Sequence, residues 1–241
     1  MKNEPVSTKQ AIPTHQPRPM VDLVVSILLP SIILMKFSGP ADLGASGALI
    51  VALVFPICWG LFELAKYRKF NFIALLGLIS VLLTGGIGLL ELDTKWLAVK
   101  EAAIPGLIGI AVLISVYTPY PLIRTLLYNP RVLDVQKIET KLIETNNTGV
   151  FNRRLQNATY FLSSTFLLSS VLNYILAKWV VTSPSGTAAF NEELGQMTLL
   201  SYPVIAVPST LMMIAILYYL WRTINTLTGF TLEEVMVQHK T

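Results

Sequence analysis

The stretch at residues 72–117, FIALLGLISVLLTGGIGLLELDTKWLAVKEAAIPGLIGIAVLISVY, decides the fold. An apolar run of about twenty residues, the polar turn ELDTKW at 91–96, and a second run of similar length follow one another. Coiled as a helix rising ~1.5 Å per residue, each arm reaches across a hydrocarbon layer of roughly 30 Å. Lipid offers the backbone no hydrogen-bond partners, so a spanning segment must satisfy its N–H and C=O groups internally, as a helix does. The stretch therefore predicts a transmembrane hairpin with its tip at ELDTKW.

Composition agrees. The 241 residues are 53% hydrophobic and 13% charged, an apolar excess that one soluble core of this size could not hide. Mean hydropathy is +0.61. The one cysteine, Cys58, sits in an apolar run, and both histidines, His15 and His239, sit in polar tails. That leaves no disulfide framework, and it takes the commonest metal ligands and general bases out of the apolar part. Neither a phosphate loop, nor metal-spaced histidines or cysteines, nor Ser-His-Asp material stands in the apolar runs, so no enzyme activity and no cofactor are expected.

Outward from the hairpin, residues 1–19 are polar and proline-bearing, without periodicity, and read as a disordered cytoplasmic tail. That tail lacks the short basic start and cleavage site of a signal peptide, so the first apolar run is expected to be retained. This run, 20–37, is a first span in which Pro30 predicts a bend. Span two, 45–65, carries Gly44, Ala48, Ala52, Pro56 and Gly60 at every fourth position, a stripe of small residues on which another helix can pack closely. It ends in the basic run KYRK.

The hairpin supplies spans three and four, within a first transmembrane block at 20–117. Its first arm closes on Gly85, Gly86 and Gly88; its second has Ala102, Gly106 and Gly109 on related faces. Residues 118–157 form a basic segment with Arg124, Arg131, Lys137, Lys141, Arg153 and Arg154. Val135, Ile138 and Leu142 follow helical spacing there, predicting one or two amphipathic helices on the cytoplasmic leaflet with a turn at 146–149, and anionic lipid as partner. A second transmembrane block at 158–223 holds a serine-rich span at 159–181, the loop TSPSGTAAFNEELGQ, and a sixth span at 197–221 bent at Pro203 and Pro208. A short cytoplasmic tail at 224–241 closes the chain.

The fold class expected is thus all-α: six transmembrane helices in three in-out-in hairpins, with a cytoplasmic amphipathic insertion. Six spans assign fourteen Lys and Arg to one face and four, Lys36, Lys95, Lys100 and Lys178, to the other. The positive-inside rule then puts both termini in the cytoplasm of a bacterial inner membrane. Once its charges are placed this way, the net charge of +4 no longer points to nucleic acid.

The segments GGIGLLELDTKWLAVKEAAIP and PLIRTLL resemble the bacterial intracellular septation protein A family, inner-membrane proteins of six spans. Gly85, Gly86, Asp93, Trp96, Lys100, Pro121, Leu122 and Ile123 carry the resemblance; a weaker echo runs through Asn173, Trp179 and Phe190. It extends over 45–219, and the proline-rich tail and the basic insertion at 129–157 depart from it, as an uncharacterised sister group would. The resemblance implies a role in envelope maintenance and cell division with no established catalysis.

Two kinds of candidate site remain. Asp93, Lys100 and Glu101 could join Asn173 and Glu192 in an outward-facing polar pocket for a cation, a proton or a lipid head group, against the plainer reading of an ion pair at the membrane rim. Asn173 alone reads more simply as a hydrogen bond between helices, and the serines of the fifth span as helix packing. The second kind is the packing set Gly44, Ala48, Ala52, Pro56, Gly60, Gly85, Gly86 and Gly106. The expected function is non-catalytic association with other membrane proteins, or a homo-oligomer, in envelope maintenance or division. The alternative is a small-solute or lipid transporter.

Overall fold

The computed structural model describes residues 24–67, 72–118, 122–130 and 133–236, without the side chains of 63–67, 72–78 and Thr125. The tail at 1–19, the start of the first span, the side chains of KYRK and Pro121 of the resemblance motif lie outside the described residues. Among the described residues the regular elements are helical; extended backbone pairs in one isolated antiparallel bridge, Leu133 with Met236.

A π-helical turn, Val24–Leu28, runs into α1 (Leu29–Lys36). Then come α2 (Gly44–Tyr67), α3 (Phe72–Leu89), α4 (Lys95–Ser115), α5 (Leu122–Leu126), α6 (Val135–Glu144) and α7 (Thr148–Val180). α8 (Ala188–Ser201) passes through a second π-helical turn, Tyr202–Ala206, into α9 (Val207–Thr228), and α10 (Leu232–Val235) follows. Among the described residues, four helical stretches are long and apolar enough to cross a membrane: Gly44–Phe62, Lys95–Ser115, Thr148–Val180 and Ala188–Thr228. Two shorter apolar ones are Val24–Lys36 and Ile79–Leu89. The all-helical fold, with several helices long and apolar enough to cross a membrane, is as the sequence predicts.

Pro30, Pro203 and Pro208 go with helix widening, whereas Pro56 and Pro105 lie inside regular α-helix. Pro30 is expected to bend its span, and a π-helical turn immediately precedes it; Pro203 lies in the second such turn, with Pro208 just beyond. A proline has no N–H and its ring collides with the carbonyl four residues back, and a wide turn moves that carbonyl aside.

Several boundaries differ from expectation. The loop reading of 182–196 holds only to Thr187: α8 begins at Ala188, where the Thr187 hydroxyl accepts from the Phe190 N–H at 3.1 Å, an N-cap bond. Phe190, Leu194 and Met197 then fall on one buried stripe. α7 starts at Thr148, because Phe151, Leu155, Ala158 and Leu162 continue the apolar stripe of the span without a break. The turn before it is shorter than expected and rests on Asn146, in the left-handed region at φ 54°.

The chain divides into two compact units, Met1–Thr94 with Val180–Leu199, and Lys95–Trp179 with Leu200–Thr241. The division falls at the tip of the 72–117 hairpin, so its arms α3 and α4 belong to different units.

In the first unit α2 and α3 run antiparallel. Leu53 packs where Gly85 lacks a side chain, and Leu49 packs at Gly88. Small residues on one helix thus receive leucines from the other, the arrangement that lets helices approach closely where hydrophobic transfer gives no drive. α8 packs on α1 through Gly195, beside Ser31, Leu34 and Met35. In the second unit a core forms from Val112, Ile123, Tyr128, Ile138, Leu142, Phe151, Leu155, Ile216, Ile224 and Val235. The apolar face of α6 is therefore covered by protein rather than laid on a leaflet. The expected cytoplasmic tail is also docked: α9 ends at Gly229 (φ 78°), and α10 inserts Val235 into this core.

Candidate functional site

Lys100 and Glu101 stand in the second turn of α4. Lys100 is 9% exposed, and its Nζ lies 2.7 Å from Glu101 Oε1. Neighbours along a helix point about 100° apart, so this pair exists because the lysine stem is long enough to fold across. A buried ammonium is tolerated when an opposite charge sits at hydrogen-bond distance.

α4 and α7 are joined by two serine hydroxyls. Ser163 Oγ donates to the Gly109 carbonyl at 2.8 Å and Ser170 Oγ to the Ala102 carbonyl at 2.7 Å. The serines are seven residues apart on one helix and the acceptors seven apart on the other, so both bonds lie on one antiparallel seam. Gly106 and Gly109 make that seam narrow: a Cβ at Gly106 would lie 2.9 Å from Ser170 Oγ, and one at Gly109 3.0 Å from Leu167. The remaining hydroxyls split off: Thr159, Ser164 and Thr165 donate to carbonyls of their own helix. Serine richness here means packing, with two of the residues bonding across helices.

Asn173 donates to the Ser169 carbonyl at 2.8 Å, within α7. An interhelical bond is expected of it from sequence; in the structure it bonds its own helix instead. Extending the seam by one turn puts Asn173 level with the start of α4, on which Lys100 stands. Asp93 is exposed, and Glu192 accepts from Gln196 at 3.2 Å. Of the five candidate-pocket residues, Asp93 and Glu192 belong to the first unit and Lys100, Glu101 and Asn173 to the second, where Lys100 and Glu101 meet.

The amide that does bond between helices is Asn191, 1% exposed, which sequence reading leaves in a loop. Its Nδ2 donates to Ser38 Oγ at 3.0 Å and to the Ala45 carbonyl at 2.7 Å, tying α8 to the α1–α2 connection. Beside it Glu193 accepts four bonds, from the N–H and the hydroxyl of Thr182 and of Ser183, at 2.7–3.2 Å. Ser185 Oγ donates to the Leu92 carbonyl, and Gly186, at φ 81°, lies against the Glu91 side chain. The Glu193 bonds fasten the start of the 182–187 connection to α8, and Ser185 and Gly186 hold its end against the residues just after α3.

Within the expected packing set, Ala48, Ala52 and Gly85 are buried in the first unit, and Gly106 lines the α4–α7 seam in the second. Among the described residues, Gly44, Gly60 and Gly86 have no neighbour within 4 Å of where a Cβ would be. Gly88, Gly109 and Gly195 make contacts that every-fourth-residue spacing does not single out.

Set against protein-family models, curated proteins and solved structures, the chain matches none of them.

At the α5–α6 end of the second unit are two recesses. One of about 440 Å³ is lined by Lys137, Lys141 and Phe230 among others; Lys137 Nζ donates to the Glu234 carbonyl at 2.8 Å and stands 4.6 Å from the Phe230 ring centre. The other, about 330 Å³, is lined by Arg124, Tyr128, Asn129, Pro130, Val135 and Glu139. Tyr128 is 2% exposed, and its hydroxyl has no hydrogen-bond partner among the described residues. Burial, then the Glu139 carboxylate, hold this phenol well above its ordinary value, with Arg124 acting the other way. Tyr128 is therefore a protonated donor at any physiological pH.

Proposed function

We propose that the chain is a non-catalytic, multi-pass protein of the bacterial inner membrane that serves envelope maintenance or division by associating with other membrane proteins. In this reading its helices form six spans in three in-out-in hairpins, both termini are cytoplasmic, and the basic 118–157 segment faces anionic lipid; the resemblance to septation protein A points the same way. The observation that carries it is how the small and polar residues of the helices are used. Ser163, Ser170, Gly106 and Gly109 are taken up in one helix seam and Gly85 and Gly88 in another, while Leu107, Ile114, Leu211 and Ile214 stay exposed on helices apolar enough for lipid or a partner helix. Mild crosslinking followed by pull-down should recover an envelope or division protein, and deletion should weaken the envelope; failure of both would end this reading. Cysteine labelling at 66–69 from outside the cell tests sidedness, and reaction there would reverse the topology.

One observation favours the transporter reading: Lys100 is a buried charge in a membrane-crossing helix, level with Asn173. Flux in reconstituted vesicles, compared between wild type and Lys100→Ala, decides it. Equal flux removes Lys100 from any pathway.

A further inference from the structure

The exposed tryptophans and tyrosines of the second unit have a distribution that neither reading uses. At the end where α4 and α9 finish, Tyr117, Tyr160, Tyr218 and Trp221 are exposed. They share one level: Tyr160 hydrogen-bonds the Tyr117 side chain, the adjacent Phe161 packs edge-on against Tyr219 with ring centres 5.8 Å apart, and the Tyr218 and Trp221 rings lie 5.5 Å apart. At the other end Trp96, Tyr174, Trp179 and Tyr202 are exposed, Trp179 by 82%. The α4–α7 seam, continued past its bond between Ala102 and Ser170, sets Trp96 beside the turn that joins Tyr174 to Trp179. Between the two ends, residues 97–116, 161–173 and 203–217 contain no tryptophan or tyrosine, and Lys100 and Glu101 are their only charges. Among the described residues, every exposed tryptophan and tyrosine of this unit therefore stands in one ring or the other.

The spacing of the rings is that of a bilayer. Tyr160 and Trp179 are nineteen residues apart on α7, as are Tyr202 and Trp221, and Trp96 and Tyr117 are twenty-one apart. At ~1.5 Å per residue these intervals are about 29–32 Å, against roughly 30 Å for a hydrocarbon layer. An indole or a phenol joins an apolar body to one hydrogen-bonding group; mid-bilayer starves the polar group and water wastes the body, so the boundary suits it best. Exposed cations stand where phosphates would follow: Arg153 and Arg222 beside or beyond the first ring, Lys95 and Lys178 beside the second. Arg222 Nη1 lies 3.5 Å from the Tyr218 hydroxyl.

We propose that the two rings are the surfaces by which the second unit engages the phospholipid head-group layers of the two leaflets. The ring side chains lie among lipid carbonyls and phosphates, and Leu107, exposed and midway between Trp96 and Tyr117, lies at the midplane. Ile138 of α6 and Val235 of α10 share a core with Phe151 and Leu155, which precede Tyr160, so that core stands outside the hydrocarbon. The proposal rests on the membrane-spanning reading above, but not on which ring faces the cytoplasm or on any protein partner.

The test reads depth by tryptophan quenching in the full chain, reconstituted into vesicles of phosphatidylcholine and phosphatidylglycerol brominated either near the head group or near the chain ends. Single-tryptophan variants, with the other tryptophans changed to phenylalanine, keep Trp179 or Trp221; a third has Leu107→Trp in the tryptophan-free background. Trp179 and Trp221 should be quenched about twofold more strongly by the shallow bromines, and the Leu107→Trp protein about twofold more strongly by the deep ones. Should these variants reconstitute poorly, the wild type labelled with 5-fluorotryptophan gives the same comparison, through broadening of its fluorine signals by lipids spin-labelled at the head group or at mid-chain. If the Leu107→Trp protein is quenched by neither lipid, the spanning reading fails and takes this proposal with it. If that protein is quenched by the deep bromines while Trp179 or Trp221 is quenched best there too, or by neither lipid, this proposal alone is overturned.

Discussion

Gly195 offers the sharpest test of the packing in the first unit. A methyl group there would lie 2.8 Å from Met35 Cγ and 2.9 Å from the Ser31 carbonyl oxygen. The methionine can swing away, but the carbonyl belongs to the backbone of α1 and cannot. The contact falls about 0.6 Å short of a ~3.5 Å optimum, so α1 must move off α8. Overpacking of this kind costs about 1–3 kcal/mol, against which alanine returns about 0.5–1 kcal/mol of helix propensity. Gly195→Ala should therefore destabilise the protein by about 1–2 kcal/mol, a factor of roughly 5–30 in the folded-to-unfolded ratio. Gly86→Ala is the matched control: among the described residues no side chain or other helix comes within 4 Å of its Cβ position, so only the propensity gain remains and stability should hold or rise. Unfolding free energies in mixed micelles, measured by titration with denaturing detergent, compare the two. Equal stability of Gly195→Ala and wild type, or a larger loss for Gly86→Ala, would refute the packing of α8 on α1.

Ser163→Ala and Ser170→Ala should each cost about 0.6–1.7 kcal/mol in the same assay, as interhelical bonds in membranes do, and the double mutant should show both losses because the bonds share one seam. No loss in either would mean that the glycine contacts alone hold α4 to α7. Leu142→Ala should cost about 2–5 kcal/mol, since the side chain is fully buried in the second core; a loss below 1 kcal/mol would show that α6 lies elsewhere in solution. Glu234 accepts from the N–H and the hydroxyl of Thr231, and those bonds hold its carboxyl below its ordinary value. Its folded pKa being depressed, the stabilisation is complete above the unfolded value near 4.5 and fades as pH falls through the folded one. The protection factor of the Asp134 amide, which donates to the Val235 carbonyl at 2.7 Å, should fall in that acid range in wild type and be low already at neutral pH in Glu234→Ala. A pH-independent exchange ratio between the two proteins would exclude the capping role.

The helical class and the core of most spans could be read from the sequence because each rests on a local property: enough consecutive apolar residues, punctuated by polar turns. Helix ends were harder where a span continues into an amphipathic segment in register. Phe151, Leu155 and Ala158 look like a separate surface helix until they are seen to extend the stripe of Leu162. Phe190, Leu194 and Met197 were legible in the same way but are interleaved with Asn191, Glu192 and Glu193, whose polarity reads as loop. Asn191 was missed for that reason, and its partners Ser38 and Ala45 are about 150 residues away, where no spacing rule reaches. Glycine spacing failed for a different cause. An every-fourth-residue stripe says which positions share a face, but whether that face meets a neighbour depends on the partner's knobs. Gly85 and Gly88 are filled by Leu53 and Leu49, and Gly60 by nothing.

The length of α7 joins the two parts of the second unit. Its 33 residues make a rod of about 50 Å, where a hydrocarbon layer of roughly 30 Å takes about twenty. The excess must project, and composition chooses the end: Asn152, Arg153 and Gln156 are exposed near the start, and beyond Arg154 the next arginine or lysine along the helix is Lys178. The projecting turns carry Phe151 and Leu155 into the core shared with Ile138, Leu142 and Val235, and the apolar turns carry Ser163 and Ser170 into the seam with α4. No proline or π-helical turn interrupts the rod between these places. The core around Phe151 and the seam that holds α4 therefore share one stiff element, α7.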